Sequence, residues 1–120
     1  MKRLLFVDDD VMTLQLMSKI ASILGFHAIL CSSAKEGLQL AAKEKPSVIF
    51  VDMQMNEMDG IEFVRKARCL PETSKLPVLI CSAGTDGCDE EKARQAGANG
   101  YLSKPLSLHK LQKTIEALFS

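Results

Sequence analysis

The strongest constraint on this chain is an alternation. Five short runs are apolar or β-branched: RLLFVD at 3–8, HAILCS at 27–32, SVIFVD at 47–52, PVLICS at 77–82 and NGYLS at 99–103. Longer stretches with helical periodicity separate them. Strand followed by helix, repeated through the chain, predicts a parallel sheet with helices on both faces. Central strands of such a sheet are buried on both sides and read as continuous apolar runs, as VIFV and VLI do. In the first helical segment Val11, Leu14, Met17, Ala21 and Leu24 fall on one face, and Gly25 is placed to close the helix as its C′ residue. Leu108, Leu111, Ile115 and Leu118 mark the last helix, with Ser107 as its N-cap. Pro46, Pro71, Pro77 and Gly97 punctuate the joins. With no repeat, low-complexity segment or linker, residues 1–120 are expected to form one α/β domain.

Composition narrows the function. A chain of 120 residues buries roughly two-thirds of the surface its unfolded form exposes, so neither metal nor disulfide staples are required for folding. Fifteen basic residues balance fifteen acidic ones, and no basic run offers an electrostatic footprint for nucleic acid. Cys31, Cys69, Cys81 and Cys88 form no C-x-x-C pair and match no zinc spacing. Three of them follow or sit among apolar residues, which predicts buried, reduced thiols and a cytoplasmic protein. The LLFV run after Arg3 ends at Asp8, too short for a signal peptide, and no apolar stretch is long enough to span a membrane.

In an open parallel sheet, sites form outside the carboxyl ends of the strands. Here those ends carry chemistry. The first strand ends in Asp8, Asp9 and Asp10, the third in Asp52, the fourth leads to Ser82 and the fifth to Lys104 and Pro105. Clustered carboxylates repel and raise one another's pKa unless a cation is present. Mg²⁺ suits one or two carboxylates, several waters and a phosphate. Beside such a metal an aspartate can act as a nucleophile and form an aspartyl phosphate, with Lys104 and Ser82 holding phosphoryl oxygens. Each piece has a plainer explanation: Asp10 as a helix N-cap, Lys104 as a surface turn, Ser82 as a turn cap. The conjunction at one sheet edge carries the argument. Met53, Met55 and Met58 read as packing residues.

These residues closely resemble a response-regulator receiver domain, the phosphoacceptor module of two-component signalling. The resemblance spans essentially the whole chain through LLFVDDD, VIFVDMQMNEMDG, PVLICSAG and GANGYLSKP. It implies a flavodoxin-like, doubly wound sheet in strand order 2-1-3-4-5. It implies Asp52 as phosphoacceptor and Asp8 and Asp9 as the acidic pair for Mg²⁺, with Asp9 the more direct ligand. The backbone carbonyl of Gln54 would complete the metal shell. Ser82 would be the switch hydroxyl, Lys104 the phosphoryl partner and Tyr101 the aromatic whose rotamer follows the switch. The Lys104–Pro105 bond is expected to be cis. Such a domain is no turnover enzyme; it catalyses its own phosphorylation and slow dephosphorylation. Its implied partners are a histidine kinase or phosphotransfer protein and a downstream protein or output domain, reached through the face of the fourth helix, fifth strand and fifth helix. A monomer or weak homodimer is expected.

Two departures stand out. The family pattern usually reads D-x-x-M-P-x-M-D-G, and Asn56 stands where the proline is common. Losing that ring loosens the loop's φ restraint. Ser82 replaces the commoner threonine, keeping the hydroxyl and losing a methyl. Two other readings compete. FVDDDVMTL resembles the D-x-D start of haloacid dehalogenase-type phosphatases, with Asp8 as nucleophile and Asp10 as acid, but this leaves Asp52, Lys104 and Pro105 unexplained. A receiver fold used only for binding, without phosphorylation, is the other.

Overall fold

In a computed structural model, which describes residues 2–83 and 87–119 and the side chains of all these but 87 and 88, strands and helices alternate. The order is β1 (Arg3–Val7), α1 (Val11–Ile23), β2 (His27–Cys31), α2 (Ala34–Glu44), β3 (Val48–Asp52), α3 (Gly60–Cys69), β4 (Val78–Ser82), α4 (Gly87–Ala96), β5 (Gly100–Ser103) and α5 (Leu108–Phe119). All neighbouring strands pair in parallel, in the order β2-β1-β3-β4-β5. This is the expected doubly wound sheet.

Strand periodicity divides the core in two. Leu4, Phe6, Val48, Phe50, Leu79 and Cys81 face α1 and α5, where Leu14, Met17, Leu111 and Ile115 meet them. Leu5, Val7, Ile49, Val51, Val78 and Ile80 face the other side, against Ala34, Ala41, Phe63, Val64 and Ala93. Successive side chains point to opposite faces, so a strand covered on both sides must be apolar at every position. Phe6 and Phe50 stand opposite each other in register and stack with ring centres 5.0 Å apart.

The caps follow the sequence signals. Asp10 caps α1 and Ser107 accepts the Lys110 N–H at the start of α5. Gly25, at φ 86°, ends α1 in a Schellman motif: its N–H reaches the Ser22 carbonyl and that of Phe26 reaches the Ala21 carbonyl. Three expectations are corrected. Val11 and Leu108, placed on apolar faces by spacing, are 57% and 39% exposed, each being the first residue of its helix. Cys69 is exposed at the end of α3, whereas Cys31 and Cys81 are buried free thiols; the Cys88 side chain lies outside the described residues. Among the described residues, no helix is long and apolar enough to cross a membrane.

A carboxylate and lysine cluster at the strand ends

Ladder hydrogen bonds fix the carboxyl edge of the sheet. The Asp8 N–H donates to the Cys31 carbonyl (3.0 Å), that of Met53 to Cys81 (2.8 Å) and that of Lys104 to Ser82 (2.8 Å). Asp8 and Lys104 therefore stand one residue beyond β1 and β5, while Asp52 and Ser82 are the last residues of β3 and β4. The next helix packs close behind Asp52. A Cβ on Gly60 would lie 3.1 Å from the Asp52 carbonyl oxygen and the Met53 Cα, so the first residue of α3 needs a bare backbone.

Lys104 joins the cluster. Its ammonium lies 2.8 Å from Asp8 Oδ2 and 2.9 Å from Asp52 Oδ1. The side chains of Asp8 and Asp52 are only 8% and 12% exposed, so these pairs are shielded far better than surface ion pairs. The other Asp8 oxygen accepts the Asp10 N–H at 2.9 Å, which holds the turn. Asp9 is exposed, and one of its oxygens accepts the Asn56 N–H at 3.2 Å. Carboxylate oxygens of Asp8, Asp9 and Asp52 all lie within 4.8 Å of one another.

Burial pushes the Asp52 carboxyl above the ordinary aspartate range; the Lys104 hydrogen bond opposes this and the charge of Asp8 adds to it. A backbone hydrogen bond from Gln54, exposed just after the strand, pulls it back down. For Lys104 burial disfavours the ammonium, but hydrogen bonds and charge from Asp8 and Asp52 outweigh it and raise the pKa. Burial pushes the neighbouring Cys81 thiol up to about 12, so it remains protonated and inert.

Ser82 is buried at the same edge, in register with Ser103. Tyr101 pairs in register with Ile80 and packs half-buried on the α3 and α4 side; its hydroxyl is buried with no hydrogen-bond partner among the described residues. The Lys104–Pro105 bond is cis, as expected. Met53 is buried, and Met55 and Met58 pack against the core beside it. Asp10 stands apart: its oxygens accept the Met12 N–H and the Thr13 hydroxyl. These cap bonds hold its pKa below the ordinary value, the Thr13 bond most. An acid tied down as a cap, and kept ionised, is poorly suited to the D-x-D phosphatase reading.

Two residues outside the expected set shape the site. Glu57 accepts the Ser33 hydroxyl (2.8 Å) and the Ala34 N–H (2.9 Å), tying the β3–α3 connection to the start of α2. Asn56 ties the same connection to Asp9. Neither contact leaves a local sequence signal, since the partners are 23 to 47 residues away.

The donor set fits a hard divalent cation. Three carboxylates against one ammonium leave a surplus of two negative charges, and all the donors are oxygen.

A doubly wound sheet with acids, a hydroxyl and a lysine gathered at its carboxyl edge is the architecture of a receiver domain. Residues 4–116 match the family described as response regulator receiver domain, and the chain belongs to that family. Receiver domains are signalling domains of two-component systems and not turnover enzymes. The chain is 33% identical over 118 residues to the "Probable chemotaxis protein CheY" of Rhizobium etli, covering 98% of this chain and 92% of the relative. It is 30% identical over 116 residues to the polar-differentiation response regulator DivK of Brucella ovis, covering 97% and 94%. The crystal structure of chemotaxis protein CheY4 of Vibrio cholerae superposes with a TM-score of 0.91 at 29% identity, over 98% of both chains.

Proposed function

We propose that Asp52 accepts a phosphoryl group from a phosphohistidine on a histidine kinase or phosphotransfer protein. The carrying observation is the meeting of Asp8, Asp9, Asp52 and Lys104 at one strand edge. A carboxylate oxygen of Asp52 attacks phosphorus, the bond to the histidine nitrogen breaks, and the imidazole leaves with the electron pair. Lys104 turns from the carboxylates onto a phosphoryl oxygen, and the Ser82 hydroxyl donates to another. Asp8, Asp9, Asp52 and the backbone carbonyl of Gln54 would hold Mg²⁺, which supplies charge neutralisation on the transferring group.

An apolar groove lined by Leu16, Met17, Pro105 and Leu106 reaches Lys104, the ion-pair partner of Asp52. We take this groove as the seat of the phosphodonor. Once Ser82 is drawn towards the phosphoryl group, Tyr101 follows, and the α4–β5–α5 face reports the change to a downstream protein. Such a switch is a two-state element biased by local charge. In this reading residues 1–120 act as one receiver unit, as monomer or weak homodimer, without contact to nucleic acid or membrane. The free thiols of Cys31, Cys69 and Cys81 fit a reducing cytoplasm.

Incubation with Mg²⁺ and acetyl phosphate tests the reading by intact-protein mass. A hydroxylamine-sensitive gain of one phosphoryl group is expected in the wild type and not in Asp52→Asn. No gain, or a gain that survives that substitution, would sink it.

A further inference from the structure

Asn56 stands where the family pattern usually has proline, and the two residues differ in one atom that matters here. Proline carries no backbone N–H. The Asn56 N–H donates to Asp9 Oδ2 at 3.2 Å, across 47 residues of chain. Asp9 is exposed on the β1–α1 turn. An exposed aspartate samples several rotamers unless something holds it. The next residue makes the donor a fixed one: Glu57 is anchored on the Ser33 hydroxyl and the Ala34 N–H. The acceptor oxygen sits at the start of α2, where the unpaired N–H groups favour a negative charge. The loop is thus pinned to α2 on one side and reaches Asp9 on the other.

We infer that the backbone N–H of Asn56 is a positioning group for the cation site, holding the Asp9 carboxylate towards Asp8 and Asp52. The inference rests on the reading of this cluster as a divalent-cation site. A donor behind a metal ligand fixes its orientation and leaves the remaining lone pairs for the ion, and loss of such a donor typically weakens metal binding by 10- to 100-fold. In this chain the hydrogen bond supplies an order that the proline ring would have supplied through φ.

Calorimetric titration with Mg²⁺ alone, on the full chain, tests this. Asn56→Pro, which removes the N–H, should weaken binding by roughly tenfold, whereas Asn56→Ala, which keeps it, should stay within about twofold of wild type. Wild-type binding with equal affinity in Asn56→Pro, or an equal loss in both variants, overturns the inference alone. A wild type that binds no Mg²⁺ overturns the cation reading and the inference with it. Should Asn56→Pro fail to fold, amide hydrogen exchange in EDTA decides the matter. The Asn56 amide should be protected in the wild type and exchange at least about tenfold faster in Asp9→Ala. Unchanged exchange overturns the inference.

Discussion

Replacing Lys104 with methionine tests the charge balance at the strand ends. The ammonium is 2.8 Å from Asp8 and 2.9 Å from Asp52, and its own side chain is 22% exposed. At an effective dielectric of about 20 each contact is worth about 6 kcal/mol of gross attraction. Desolvation cancels much of this, and removing one partner from a buried pair typically costs 3–5 kcal/mol net. Asp52, whose carboxyl burial already holds above the ordinary range, can relieve part of the cost by taking up a proton, so the lower end applies: Lys104→Met should destabilise the metal-free protein by about 3 kcal/mol at neutral pH. Urea unfolding in EDTA, followed by far-UV circular dichroism because the chain lacks tryptophan, measures it.

The same substitution makes two signed predictions. It raises the surplus negative charge of the cluster from two to three, so saturating Mg²⁺ should stabilise the variant more than the wild type and narrow the gap. Because the Lys104 pKa is raised above 10.5 in the fold, its stabilisation is fully present below pH 10.5 and is lost as pH rises through the folded value. Asp52 has the opposite sense from an ordinary paired acid. Its folded pKa is raised above 3.8, so on acidification towards 3.8 this group takes up protons more readily when folded and favours the fold. A variant within about 0.5 kcal/mol of wild type in EDTA would refute the energetic argument, since that is the range of an inert surface change. A gap that widens with Mg²⁺ would refute the charge count.

Three further outcomes are expected. Arg68 donates five hydrogen bonds to the Thr73, Leu76 and Gly97 carbonyls and to Asn99 Oδ1, and Asn99 in turn accepts the Val78 N–H. Arg68→Met should therefore cost about 3 kcal/mol in urea unfolding, yet leave Mg²⁺ affinity unchanged, because the network sits at the opposite end of β4 from the acids. Gly60→Ala forces a Cβ to within 3.1 Å of Asp52 and Met53 backbone atoms and should cost about 1–2 kcal/mol and slow phosphorylation by acetyl phosphate, followed by intact mass. Under native conditions iodoacetamide should label Cys69 and spare Cys31 and Cys81 until the protein unfolds, read by peptide mass mapping.

The sequence made the sheet readable because each central strand is covered on both faces and must be apolar throughout, as VIFV and VLI are. Asp8, Asp52, Ser82 and Lys104 were readable for a related reason. Each breaks or ends an apolar run at the same end of its strand, and a parallel sheet brings those ends together. Spacing was a weaker guide at helix ends. It counts positions around an axis and not along it, so Val11 and Leu108 share the apolar spacing yet are exposed as the first residues of their helices. Cys69 misled in the same way, as an apolar residue in the last turn of α3. Arg68 gave no warning, because an arginine on an amphipathic helix usually reads as solvated. Its four acceptors come from Thr73 and Leu76, beyond the α3 terminus, and from Gly97 and Asn99 in the α4–β5 turn.

Asn56 shows where a local inference runs out of sequence. Removing proline does free φ, and sequence reasoning stops there because the compensation is not local. The freed N–H finds Asp9 and the neighbouring Glu57 finds the start of α2. A ring stiffens a loop in every state of the protein. A hydrogen bond to Asp9 stiffens it only while that carboxylate stays in place. In this chain the β3–α3 loop is therefore held by two ties, Glu57 on the start of α2 and Asn56 on the acid that, in the proposed function, meets the cation, and anything that turns Asp9 removes the second and leaves the first.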